Sequence, residues 1–291
     1  MSAILLTGCN GQVGAELAAS LSRLGNVIAC DRRALDLADA DAIVAKMREI
    51  RPDIVVNAAA YTAVDRAQTE PELAHAVNAT APAILAEEAA RLGALLVHYS
   101  TDYVFDGTKA GPYTEEDVPN PLNAYGRSKL AGERAIQSSG AMHLIFRTSW
   151  VYGARGGNFL LTICRLAAER DELKIVDDQF GAPTWSRDIA RATADVLTEW
   201  LGNADGATGL FHLSAAGRTS WCGFARVILD IMLPEKSHPR LVPIPSTDYP
   251  APAQRPLNSV LSNSKLHAAF GIKMPEWDES LRACVDVIAA G

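Results

Sequence analysis

Tyr125-Gly-Arg-Ser-Lys129 sets a phenol and an ammonium four residues apart. On a helix those two positions share one face, so the spacing predicts Lys129 beneath the Tyr125 phenol. A free tyrosine titrates near ~10, too high for ready proton exchange at neutral pH. An adjacent ammonium favours the phenolate and lowers that value, toward the range useful for acid–base catalysis. Upstream, His98-Tyr99-Ser100-Thr101-Asp102 closes a candidate strand with two hydroxyls. Ligands of open α/β sheets bind beyond the carboxyl ends of strands, which puts Ser100 and Thr101 where a substrate would sit. A hydroxyl there can donate to a carbonyl oxygen as negative charge develops on it. An isolated Tyr-x-x-x-Lys is common by chance; this one gains weight from a nucleotide-binding signature at the start of the chain.

That signature is Gly8-Cys-Asn-Gly11-Gln-Val-Gly14, between an apolar run at 3–7 and an Ala/Leu-rich amphipathic segment. Strand, glycine turn and helix in that order are what a dinucleotide fingerprint requires. Gly8 suits the tight turn, Gly11 the close approach of backbone to a pyrophosphate, and Gly14 the packing of helix on strand. The helix start then offers free N–H groups and a positive dipole end to phosphates. The second strand ends at Asp31, seventeen residues beyond Gly14. An acid there binds ribose hydroxyls and favours NAD, whereas an arginine such as Arg32 or Arg33 accepts a 2′-phosphate and favours NADP. The two signals oppose each other, leaving NADPH or NADH as the expected coenzyme.

The elements that must carry these residues alternate strand and helix, which predicts a doubly wound, Rossmann-like parallel sheet. Strands are expected at 3–7, 26–30, 53–58, 94–99 and 144–149, with helices at 12–24, 40–50, 72–92 and 123–139. Asp39 suits a cap, Pro71 a first helical turn, and Gly93 and Gly140 helix ends. Beyond Trp150 the rhythm loosens: helices are expected at 157–171 and 186–202, a strand at 209–214, and a long irregular wrap at 234–256. That wrap holds seven prolines (Pro234, Pro239, Pro243, Pro245, Pro250, Pro252 and Pro256). The expected organisation is a dinucleotide-binding domain at 1–150, rejoined by about 186–215, and a smaller C-terminal substrate lobe within 151–291. At 291 residues, 48% hydrophobic and 21% charged, the chain reads as an ordinary globular protein. A net charge of −7 argues against nucleic acid as a partner. No apolar run approaches the ~20 residues of a membrane span, and the N-terminus has no secretory pattern. The five cysteines are scattered and unpaired in motif, which suits reduced thiols and a cytoplasmic setting. The six histidines form no metal-ligating group.

Gly8-x-x-Gly11-x-x-Gly14, Asn57-Ala-Ala-Ala60, Tyr99-Ser-Thr-Asp-Tyr-Val-Phe105 and Tyr125-x-x-x-Lys129 together resemble the extended short-chain dehydrogenase/reductase family. Within it, Phe146-Arg-Thr-Ser-Trp-Val-Tyr152 and Asp178-Gln-Phe-Gly-Ala-Pro-Thr184 resemble the dTDP-4-dehydrorhamnose reductase branch, a likeness that extends to Ala253-Gln-Arg255-Pro256 and Asn258-Ser259. The resemblance implies reduction of a sugar-nucleotide C4 ketone by NAD(P)H, in the dTDP-rhamnose route to lipopolysaccharide. It implies Gly11, Gln12 and Val13 at the pyrophosphate, Asp31 at the adenosine ribose, and Asp36 and Leu37 flanking the adenine. Ala60, Tyr61, Thr62 and Tyr99 would line the coenzyme groove. Thr101, Tyr125 and Lys129 match the catalytic set, and Asp102, Trp150 and Arg255 substrate-contacting positions. Some relatives form a metal-bridged dimer through glutamates; Glu16 matches one of these, but Arg187 stands where a second acid is needed. The expectation is a monomer or weak homodimer without a metal. Another sugar-nucleotide 4-reductase, or a non-catalytic dinucleotide-sensing subunit, remains as an alternative.

Overall fold

Alternating side chains on β1 (Ser2–Thr7) divide between two cores: Ile4 and Leu6 face one way, Leu5 the other, and all three are fully buried. A strand apolar on both faces belongs inside a parallel sheet with helices on either side. The computed structural model describes residues 2–203, 206–233 and 238–290. In it β1, β2 (Gly25–Cys30), β3 (Ile54–Asn57), β4 (Leu95–Thr101), β5 (His143–Thr148) and the strand Gly209–His212 form one sheet. Its order is Gly209–His212, β5, β4, β3, β1, β2, with every pair parallel.

On the Ile4 face lie α1 (Gln12–Leu21) and α7 (Ser186–Gly202), which bring in Leu17, Leu21, Ile189 and Leu197. The Leu5 face is covered by α2 (Ala40–Ile50), α4 (Ala81–Leu92) and α5 (Ala124–Ser138), through Ile43, Met47, Leu85, Ala89 and Ile136. A separate apolar cluster joins α6 (Phe159–Glu169), α8 (Trp221–Met232) and the helix Trp277–Ala290 around Leu160, Phe224, Ile228 and Leu281. Asp39 caps α2 by accepting the Ala42 N–H at 3.0 Å, and the Gly93 N–H closes α4. Among the described residues no helix is long and apolar enough to cross a membrane.

Two expectations need correction. The helix expected at 72–92 is three pieces: α3 (Pro71–His75), a π-helical turn Ala76–Thr80, and α4. The cause is Pro82. It has no N–H for the carbonyl four residues back, and its ring crowds that carbonyl, which is Asn78, so the turn widens there. The proline-rich wrap also contains a strand, Arg240–Ile244, paired in parallel with Glu172–Val176. Pro243 fits because that ladder has only two strands, so its missing donor falls on an open edge. Pro234 lies outside the described residues.

The displaced Asn78 carbonyl is packed against Gly132 of α5, where an added Cβ would stand only 2.1 Å from it. That contact holds α5, and with it Tyr125 and Lys129, against the π turn. Gly132→Ala is expected to lower unfolding free energy by about 1–3 kcal/mol, the usual cost of forcing a methyl into a packed site. Urea denaturation measures this; a midpoint equal to wild type would show that the two segments separate freely.

Candidate active site

The carboxyl end of β4 is where the site is assembled. Thr101 is the last residue of the strand, and Asp102-Tyr103-Val104 leaves it as one 3-10 turn. Thr101 fixes that turn: its Oγ1 accepts the Tyr103 N–H at 3.1 Å and donates to Asp102 Oδ1 at 2.9 Å. Tyr125 enters from the first turn of α5, whose start is set by Asn123. The Asn123 Oδ1 accepts the Gly126 N–H at 2.8 Å, and its Nδ2 donates to the Gln254 carbonyl at 2.8 Å. The Tyr125 phenol lies beside the Thr101 hydroxyl, and its ring meets Tyr103 edge-on at 5.9 Å.

Burial pushes the Tyr125 phenol up to about 12; the Thr101 hydroxyl opposes this and the nearby Asp102 carboxylate adds to it. This corrects the expectation that Lys129 lowers it. The fully buried Lys129 ammonium does not turn to the phenol. It donates to the Tyr99 carbonyl at 2.5 Å and lies 3.2 Å from His98 Nε2. Burial lowers it to about 8, against the pull of Glu133 one turn along. Without Lys129 at its oxygen, Tyr125 stays protonated at neutral pH, the state a proton donor needs.

Asp102, 2% exposed, is raised to about 7 by burial, opposed by the neighbouring Ser259 and Thr101 hydroxyls, of which Thr101 donates to Oδ1 at 2.9 Å. Ser259 also accepts the Trp150 indole N–H at 3.2 Å. Trp150 has a left-handed backbone, φ 47°, and stacks flat on Trp221 with ring centroids 3.5 Å apart. Arg255 donates to Asp65 at 2.8 Å and to the Ala253 carbonyl at 3.0 Å, and hydrogen-bonds Tyr103. Thr101, Asp102 and Tyr125 thus gather at the end of β4, with Trp150 held on Ser259 and Arg255 near Tyr103. Ser100 faces the other side of β4, with its buried hydroxyl unpartnered among the described residues.

The glycine turn fits a dinucleotide. Gly8 takes φ +69°, and a Cβ there would lie 2.6 Å from the Ala59 nitrogen. Gly11 precedes α1 without any side-chain cap, whereas Asp39, Asn123, Asn158 and Ser220 cap α2, α5, α6 and α8. The first-turn N–H groups of α1 are therefore left for an anion. Gln12 Oε1 accepts from Asn158 Nδ2 at 3.0 Å, Val13 packs on the core, and Gly14 is buried. Asp31 accepts the Arg33 and Ala34 N–H groups, each at 3.0 Å, and Asn10 Nδ2 at 3.2 Å, with its carboxyl held below the usual range by the first of these loop bonds, that of Ala34. Arg32 Nε lies 3.4 Å from Asp36, and Asp36 accepts the Ala38 N–H at 3.0 Å.

Three side chains point elsewhere. Leu37 is buried in the core behind β2, the Tyr99 hydroxyl bonds Thr193 at 2.7 Å, and the Tyr61 hydroxyl donates to Glu70 at 2.6 Å. Tyr99 reaches the site through its carbonyl, and Tyr61 through its backbone. Ala60, Tyr61 and Thr62 follow β3, and Asn78 clips Tyr61 in both directions, accepting its N–H at 2.8 Å and donating to its carbonyl at 3.0 Å. Asn78 also donates to Ser128 of α5 at 3.0 Å. Sequence reading missed Asn78; Pro82, four residues on, was its signal. Trp221, which backs Trp150, had no local signal. Glu16 accepts Arg187 Nε at 2.9 Å.

A family model described as RmlD substrate binding domain matches residues 1–290. The dTDP-4-dehydrorhamnose reductase of Burkholderia thailandensis is 51% identical over 290 residues, covering 97% of both chains. That of Escherichia coli K12 is 45% identical over 287 residues, 96% of this chain and 95% of its own. Among solved structures, a dTDP-4-dehydrorhamnose reductase from Clostridium acetobutylicum superposes with a TM-score of 0.92 at 38% identity, covering 99% of each chain. One from Bacillus anthracis, in complex with NADP, gives 0.89 at 34% identity, covering 98% of this chain and 99% of that one.

Asp102 gives a pH signature. Its folded value lies above the unfolded 3.8, so the folded protein binds this proton more tightly, and stability is lost as pH rises from about 4 through about 7. The full cost, at most about 4 kcal/mol, persists above that window. Asp102→Asn is expected to raise Tm at pH 8 and leave it nearly unchanged at pH 4. An equal gain at both would show that no buried carboxylate charge is being relieved.

Proposed function

The chain belongs to the RmlD substrate binding domain family, and on that premise we propose that it reduces the C4 ketone of dTDP-4-dehydro-L-rhamnose to give dTDP-L-rhamnose. The observation that carries the reading is the protonated Tyr125 phenol beside the Thr101 hydroxyl at the end of β4, on an α5 that also carries Lys129 one turn along. The glycine cradle and the uncapped start of α1 would hold NADPH or NADH, which supplies the hydride when bound. Gly8, Gly11, Gln12, Val13 and Gly14 would face its pyrophosphate, and Asp31 with Arg32 its adenosine ribose.

Thr101 holds the ketone oxygen, and Tyr125 protonates that oxygen as it becomes an alkoxide. Lys129 supplies the positive charge, one turn below, that the departing proton leaves unbalanced. Asp102, Trp150 and Arg255 orient the sugar nucleotide, and near-attack placement accounts for much of the rate. Residues 1–150, rejoined by 186–215, serve as the coenzyme domain. The rest of 151–291 grips the nucleotide, a division supported by the separate apolar cluster around Phe224. The Glu16–Arg187 ion pair engages the glutamate that a metal-bridged dimer would use, which supports a monomer or weak homodimer. Five free thiols, three of them buried, suit the reducing cytoplasm.

The direct test is an assay with dTDP-4-dehydro-L-rhamnose, following NADPH and NADH oxidation separately. Tyr125→Phe is expected to lose ~10²–10⁴-fold in kcat, the usual contribution of general acid catalysis, while coenzyme binding is kept. Near-normal turnover would remove Tyr125 as the acid. For the coenzyme, use of both forms is expected, with NADPH preferred within about tenfold (~1.4 kcal/mol). Asp31 spends much of its acceptor capacity on its own loop, and guanidiniums bind phosphate bidentately. Replacing Arg32 and Arg33 together by Ala is expected to raise KM for NADPH and spare NADH. Equal effects on both would show that the arginines do not read the 2′-phosphate.

A further inference from the structure

Beneath the site runs a hydrogen-bonded chain that the reaction as described does not use. Thr7 Oγ1 lies 2.7 Å from Asn57 Oδ1, Asn57 Nδ2 lies 3.1 Å from His98 Nδ1, and His98 Nε2 lies 3.2 Å from Lys129 Nζ. All four residues are at most 1% exposed. Thr7 pairs with Asn57 in the register of β1 and β3, and Asn57 with His98 in that of β3 and β4. The chain therefore crosses three strands side by side and ends on α5.

We propose that His98 is a positioning residue for Lys129, and that the chain Thr7–Asn57–His98 reverses its hydrogen-bond polarity when Lys129 gains or loses its proton. The inference rests on the reading of Lys129 as the charge beneath Tyr125. A charged ammonium has three donors and no acceptor. Against it, His98 Nε2 must accept, so the imidazole proton sits on Nδ1. Nδ1–H then donates to the Asn57 oxygen, and the Asn57 amide donates to Thr7. A neutral amine has a lone pair, and every bond then runs the other way. Thr7 O–H donates to Asn57 Oδ1, Asn57 Nδ2 to His98 Nδ1, and Nε2–H to Nζ. The Asn57 amide stands in this second orientation. Either polarity pairs both His98 nitrogens, which neither a purely apolar residue nor a one-ended acceptor at 98 could do.

His98 can play this part only if it stays neutral, and burial together with the Lys129 charge holds it well below the ordinary histidine range. The other groups facing Lys129 leave the choice to this chain. Glu133, one turn along, is held by Arg147 of β5 through two bonds of 2.9 and 2.7 Å. Tyr125, one turn back, is a protonated phenol, and Asp102 at the end of β4 is turned to Thr101 and Ser259. The Tyr99 carbonyl accepts from Lys129 in either state.

The test is nitrogen NMR of the full-length protein with labelled histidine, from pH 6 to pH 10. His98 is expected to carry its proton on Nδ1 below about pH 8 and on Nε2 above it, with the ring neutral throughout. One unchanged tautomer across that range overturns the proposal, whatever the activity, so this outcome is separable from failure of the reductase reading. A second readout is the alkaline limb of kcat/KM for the coenzyme. His98→Leu removes the acceptor and is expected to move the limb down by about one pH unit, whereas His98→Gln, which keeps one, holds it near wild type. Asn57→Asp can only accept from Nδ1–H, which fixes the ammonium polarity, so it is expected to move the limb up. Shifts of the same sign in His98→Leu and Asn57→Asp, or none in either, overturn it.

Discussion

Burial of the Lys129 ammonium is the constraint on which the site depends. An unpaired charge away from water costs far more than a domain's stability margin permits, so fixed acceptors must surround it. Its two partners are consecutive residues of β4: the Tyr99 carbonyl, which accepts, and the His98 ring, which does so in its Nδ1–H tautomer. The strand can offer both only if its register against β3 and β5 is exact, and a one-residue slip would exchange its two faces. The pairings Asn57↔His98 and Ser100↔Arg147 express that demand. A buried ion pair, Glu133 with Arg147, joins the same helix to the next strand. Two charged side chains spaced i and i+4 on α5 thus pin it to two adjacent strands, and Tyr125 follows from where the helix must lie.

The same helix is held from its other side by polar backbone, not by apolar packing alone. Asn78 bonds Tyr61 on the loop after β3 and Ser128 on α5, while its own carbonyl, freed by Pro82, packs against Gly132. The π turn therefore couples the loop after β3 to the helix bearing Tyr125. At the helix start, Asn123 ties α5 to Gln254 and Gln68 accepts the Ala124 N–H at 2.7 Å. Asp65 holds Ala253 and Arg255 at the same end. The proline-rich segment is thereby anchored to the catalytic helix, although the two are far apart in sequence.

These contacts also explain what could be read from the sequence. The strand–helix alternation, the glycine turn, the Asp39 cap and the Gly93 stop are local, each fixed by residues within a turn of one another, and each stands where the pattern put it. The Tyr125–Lys129 spacing was legible as a shared face, but not as a contact. A shared face says where a side chain starts; the Tyr99 carbonyl and the His98 ring, set by strand register, decide where its amine ends. Asn78, and the partners of Asn57 and His98, escaped because an isolated polar residue in an apolar stretch carries no sign of what it will bond. Arg240–Ile244 was hidden by its prolines, since its pairing depends on Glu172–Val176, far upstream.

Two costs lie close to Tyr125, and they are connected. Trp150 holds a left-handed backbone that a bulky residue adopts only at a penalty, and Asp102 is a carboxyl buried beyond its own preference. Ser259 neighbours both, accepting the Trp150 indole N–H and bearing on the Asp102 carboxyl. The strain is retained because the surroundings over-determine it. Trp221 lies flat against the indole, and the Thr184 N–H donates to the Trp150 carbonyl at 3.2 Å. A carboxyl and an aromatic plate fixed in this way are held by the fold alone. The ordering is completed during folding, by contacts that are all in place within the chain itself.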